Sequence, residues 1–62
     1  MIPTIRQRVK IEGRDEVFLV VWVDLKRGVA DLVPVEGDKD LEEDVPFSNI
    51  RSVTGGLANA AD

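Results

Sequence analysis

The run Val17-Phe18-Leu19-Val20-Val21-Trp22-Val23-Asp24-Leu25 constrains this chain more than any other stretch. Eight of its nine residues are apolar, and β-branched and aromatic types dominate. Such side chains suit a pleated surface and lose rotamer freedom in a helix. With Gly13 and Gly28 on its flanks, the run is too short for a typical helix and reads as a strand. Alternation puts Val17, Leu19, Val21, Val23 and Leu25 on one face and Phe18, Val20 and Trp22 on the other. Both faces are apolar, whereas a strand in a small protein normally turns one face to water. The strand must therefore be bent across a closed barrel, covered by a tail, or covered by another copy of the chain.

Size sharpens that choice. A chain of 62 residues forms one domain, near the lower limit at which a single core holds a fold unaided. Cysteine and histidine are absent, so a disulfide is impossible and a zinc centre disfavoured. Association is the staple that remains, and the expectation is a homo-oligomer. The cysteine-free composition fits a reducing cytoplasm. No basic-then-apolar signal pattern opens the sequence, and no apolar run approaches the ~20 residues of a membrane span. The expectation is a soluble cytoplasmic protein with no membrane partner.

The remaining elements follow from local patterns. Ile5-Arg6-Gln7-Arg8-Val9-Lys10-Ile11 alternates as a half-buried strand, with Ile5, Val9 and Ile11 inward and Arg6, Arg8 and Lys10 outward. Gly13 lies in a polar hairpin link, and Gly28 occupies the left-handed position of a second turn. Val29–Val35 is a third strand, in which Asp31 shares a face with Val29, Val33 and Val35. A bulge or an exposed position would account for that anomaly. Pro34 cannot donate to a ladder and belongs at an edge or beside a bulge. Leu41–Val45 is a short charged fourth strand. Pro46 opens a single helical turn that turns Phe47 and Ile50 inward, and Ile50–Val53 closes the fold. Residues 1–54 make the domain, and residues 55–62 a flexible or capping tail.

Charge is unevenly spread. The net charge is −4, yet residues 1–14 carry Arg6, Arg8, Lys10 and Arg14 against Glu12. Residues 31–44 carry Asp31, Glu36, Asp38, Asp40, Glu42, Glu43 and Asp44 against Lys39. The basic face of Arg6, Arg8 and Lys10 either is a solvated surface that discourages edge aggregation or meets an acidic partner. On a strand, Asp38, Asp40, Glu42 and Asp44 share one face. That acidic face is a solvated stripe, a contact for a basic protein partner, or a weak site for a hard cation. The spacing does not match a calcium loop, so no metal is assigned. Overall acidity disfavours nucleic acid, which requires a basic footprint.

No catalytic constellation is present. Serine and threonine have no histidine to activate them, and nothing marks a pocket that would split the pKa values of two carboxylates. Neither an enzyme nor a cofactor is expected. Trp22 is the most informative side chain, either core packing or an interface anchor. Phe18, Val20 and Trp22 on one strand face would form a contiguous apolar strip, the mark of an association surface.

Three strands joined by short turns, a short fourth, one helical turn and a brief fifth resemble the SH3-like small barrels, Tudor-type modules included. The hairpin through Lys26-Arg27-Gly28 and the run Glu42–Ile50 carry the resemblance, which covers roughly residues 5–53. It implies an all-β, five-stranded antiparallel SH3-like barrel, or a strongly bent sheet, with one short 3₁₀ turn before the last strand. The family-specific sites do not carry over. Phe18, Trp22 and Phe47 are the only aromatics, too few for a methyl-lysine cage, and the tyrosines of a polyproline groove are missing. The function expected is a noncatalytic interaction module that self-associates through its central strand. The alternatives are a nucleic-acid-binding barrel using the basic strand face, and a small-molecule site at a symmetric interface.

Overall fold

The computed structural model describes residues 2–36 and 40–53. It is all-β, with strands β1 (Arg8–Ile11), β2 (Phe18–Asp24), β3 (Val29–Pro34), β4 (Glu42–Pro46) and β5 (Ile50–Ser52), and a 3₁₀ turn at Phe47–Asn49. All pairings are antiparallel, in the order β4-β3-β2-β1-β5. Among the described residues β4 and β5 are the two edges, so hydrogen bonds do not close the sheet. The proposed tail, residues 55–62, lies outside the described residues.

Local chemistry sets the turns as expected. Gly28 has φ +69° and Gly13 φ +83°, a region that glycine enters without a Cβ penalty. The Gly28 N–H donates to the Asp24 carbonyl at 2.9 Å, and its own carbonyl accepts from the Phe47 N–H at 2.9 Å. Pro46 precedes the 3₁₀ turn with φ −60°; Ile50 is buried, and Phe47 packs against the core. Val35 N–H donates to the Val17 carbonyl at 2.9 Å, so the neighbouring nitrogen of Pro34 faces the β4 side. The β3–β4 ladder has already ended there, at Leu32↔Glu42, and no donor is missed.

The core consists of Val9, Phe18, Val20, Ala30, Leu32, Val45 and Ile50, with Ile11, Val23 and Phe47 packed against it. This corrects two expectations about which side is inward. On β2, Phe18 and Val20 are core residues with 0% exposure, not a surface strip. On β3 the core parity is Ala30 and Leu32, so Asp31 lies on the outer face with Val29 and Val33. A further correction concerns the first strand, which begins at Arg8 rather than Ile5. Ile5 is exposed, and Arg6 sits in a turn with φ +75°.

A line of bulges explains these departures. Val20 pairs with Leu32 and Trp22 with Asp31, which leaves Val21 as an extra residue. Across β3, Leu32 pairs with Glu42 and Ala30 with Val45, so Glu43 and Asp44 together oppose Asp31. On the other side, Arg6 N–H donates to the Val20 carbonyl at 2.7 Å and Val20 N–H to the Gln7 carbonyl at 3.0 Å, two residues meeting one. An extra residue bends a strand, increases its twist and reverses the inward parity beyond it. Before the bulge on β2 the even-numbered residues face the core; after it, Val23 does and Trp22 turns out.

Candidate interaction face

Register places the functional candidates on the outer face of this sheet. On β1, Arg8 pairs with Leu19 and Lys10 with Arg51, so these cations lie opposite the core side of Val9 and Ile11. On the middle strand β2, the outer residues are Leu19, Trp22 and Asp24; on β3, Val33, Asp31 and Val29; on β4, Asp44 and Pro46. One flank is therefore basic, the centre apolar and the other flank acidic. Trp22 is 61% exposed, a large aromatic surface in water between the two flanks. Leu19 and Val33 are half-buried beside it.

The acidic flank is organised by Arg27. Its Nη1 donates to Oδ1 of Asp44 at 3.2 Å, and its Nη2 lies 3.2 Å from Oδ2 as an ion pair, so that both prongs of the guanidinium face the carboxylate. The Arg27 backbone N–H also donates to Asp24 Oδ1 at 3.1 Å. These partners raise the Arg27 pKa above its ordinary value, first through the hydrogen bond to Asp44. Asp44 itself has φ +55°, and its N–H donates to Asp31 Oδ1 at 3.0 Å. Three aspartates around one arginine leave this flank net negative.

The inner side holds a second arginine. Arg14, in the β1–β2 loop, lies 5.2 Å over the centroid of the Phe18 ring. It pairs with Glu16 at 2.7 Å and with Glu42 of β4 at 3.3 Å. Its pKa is raised, first by the hydrogen bond to Glu16 and against some loss of solvation. The side chain straps the loop to an edge strand across the end of the core.

At the margin of the outer face opens a groove of about 630 Å³ lined by Arg8, Asp15, Glu16, Val17, Pro34, Val35 and Glu36. Its lining combines three apolar side chains with three carboxylates and one guanidinium.

The residues predicted from sequence are thus redistributed. Of the supposed anchor Phe18, Val20 and Trp22, only Trp22 reaches the surface. Of the basic face, Arg8 and Lys10 stay together, Arg51 joins them across the ladder, and Arg6 departs into its turn. The acidic stripe is broken by the bulge at Asp44: Glu42 turns to Arg14 and Asp44 to Arg27. Asp40 is exposed ahead of β4, and Asp38 lies outside the described residues. Sequence reasoning missed Arg27, Asp24 and the strap by Arg14; only the anomalous Asp31 hinted at them.

Among the described residues no group of three or more Asp, Glu, His or Cys could hold a metal ion, and no helix is long and apolar enough to cross a membrane. No family model, curated protein or solved structure matches the chain.

Proposed function

We propose that this chain is a small SH3-like barrel that serves as a noncatalytic protein-interaction module, assembling with copies of itself through the outer face around Trp22. The barrel reading is supported by the strand order, which makes β2 common to two halves of the sheet. The bulges that bend it between those halves and the Arg14 strap to β4 add to that support. A cysteine-free composition suits the cytoplasm as its location.

One observation carries the functional reading. Trp22 stands 61% exposed between a basic and an acidic flank, on a domain whose core cluster among the described residues has seven buried apolar side chains. Aromatic anchors of this kind dominate interface energetics, and a flanking pair of opposite charges supplies orientation. A second copy is the occupant that answers both flanks at once. Light scattering at high protein concentration tests it. The wild-type chain should weigh more than the 6.8 kDa monomer, and Trp22→Ala should weigh the same as the monomer. A wild-type mass of one chain at every concentration would reject the reading.

The groove at Arg8, Val17 and Val35 favours a second reading, a basic segment of a foreign protein. Its apolar lining residues and excess of carboxylates suit a lysine- or arginine-bearing peptide. Titration of such a peptide against Glu36→Gln and the wild type would separate the two readings, since only this one predicts weaker binding by the variant.

A further inference from the structure

The outer face carries its two charges on opposite sides of the middle strand. In the order β4-β3-β2-β1-β5, Arg8, Lys10 and Arg51 belong to β1 and β5, whereas Asp31 and Asp44 belong to β3 and β4. Leu19 and Trp22 of β2 lie between them. Resting on the self-association reading, we infer that the assembly is a closed pair whose two-fold axis runs along β2. It sets Arg8 of each copy, level with Val33, towards Asp31 of the other, and Lys10 at the level of Val35 and Glu36.

The geometry selects that axis. Two sheets laid outer face to outer face can be related by an in-plane half-turn either along the strands or across them. Rotation along β2 exchanges the β1/β5 side with the β3/β4 side, so each basic flank meets an acidic one. Rotation across the strands keeps the sides in place and lays cation on cation and carboxylate on carboxylate. Like charges juxtaposed across an interface are strongly disfavoured, and complementary ones fix register. The same residues on both copies then make the contact, which is the isologous arrangement of a two-fold dimer. Trp22 and Leu19 fall near the axis, where burial on pairing is deepest.

The partners on each flank leave charge to spare. On the acidic side Arg27 is shared by Asp24 and Asp44, while Asp31 spends one oxygen on the Asp44 N–H. On the basic side Arg51 is held by Glu12, and Arg8 and Lys10 stand next to it on β1. Counted over the strand residues of the outer face, and leaving aside Asp15, Glu16 and Glu36 of the groove beside Arg8, the excess is positive on one flank and negative on the other. Because the pairing consumes the face, association stops at two chains.

The test mixes two charge variants, each first checked for a cooperative urea transition. Arg8→Glu/Lys10→Glu makes both flanks negative; Asp31→Asn/Asp44→Lys makes the acidic flank neutral to positive. Each alone should pair at least about tenfold more weakly than wild type, and an equimolar mixture should recover the mass of a pair. If either variant fails to fold, the milder Arg8→Gln/Lys10→Gln is compared with wild type across salt, where screening should weaken wild type more. Should the wild type fail to associate at all, the functional reading itself falls. Should it associate, with Trp22→Ala breaking the pair but the charge variants pairing as tightly as wild type and showing the same salt dependence, this axis is wrong. A mass that keeps rising beyond two chains also overturns it.

Discussion

The backbone N–H of Asp44 donates to Oδ1 of Asp31 at 3.0 Å, so one aspartate holds another in a left-handed conformation on the neighbouring strand. That bond fastens the bulge at which β4 reverses its parity. It also lies on the line of irregularities that runs from Arg6 and Gln7, just ahead of β1, across β2 and β3 to β4. An exposed hydrogen bond of this kind contributes about 1 kcal/mol. Asp31→Ala is expected to lower stability by about that amount in urea denaturation, and Asp31→Asn, which keeps Oδ1 as an acceptor, to recover most of it.

Phe18 and Trp22 make the reversal across the β2 bulge measurable. Phe18 is fully buried and Trp22 largely exposed. Phe18→Ala should cost about 3–5 kcal/mol, enough to abolish the cooperative transition of so small a domain. In dilute solution Trp22→Ala should change monomer stability by only about 0.5 kcal/mol. Equal losses at the two positions would mean that both side chains are core.

Much of the fold was legible because its signals are local. Gly28 announced a left-handed turn, and Pro46-Phe47-Ser48-Asn49-Ile50 announced the 3₁₀ turn, each through the chemistry of a few adjacent residues. The facing of β2 was not legible. An extra residue at Val21 depends on what β1 and β3 present opposite it, and every residue from Phe18 to Val23 is apolar enough for either side. The acidic stripe failed for the same reason, since the bulge at Asp44 sends Glu42 and Asp44 to different arginines. Asp31 was the one visible clue. It looked misplaced on an apolar parity because the core lay on the other parity, with Ala30 and Leu32.

Gly28 offers a test confined to the backbone. A Cβ placed there would meet nothing within 4 Å, so the penalty for a side chain comes from φ +69° alone. Gly28→Ala is expected to destabilise by about 1 kcal/mol, with Gly28→Asn intermediate because asparagine tolerates the left-handed region. Paired urea titrations of the three proteins would show that ranking.

The strap over Phe18 predicts a contribution that does not change with pH near neutrality. The Arg14 pKa is raised, chiefly by Glu16, and a raised value means that the contribution is present below the unfolded pKa. It is lost only as pH climbs through the folded value, beyond the ordinary arginine range. Arg14→Ala should therefore lower the urea midpoint by the same margin at every pH from about 7 to 9. Arg14→Lys, which keeps the charge but loses the planar fork, should fall between. A margin that shrinks within that window would assign the effect to another titrating group.

Sedimentation equilibrium over a wide dilution range, with Trp22 emission recorded on the same samples, tests the self-association reading most directly. Trp22 is exposed in the single chain, so pairing should bury it. The expected result is a mass that falls towards 6.8 kDa on dilution while the emission shifts to the red in step. A mass of one chain at all concentrations, or a pair that forms with no change in emission, would contradict an assembly built on Trp22.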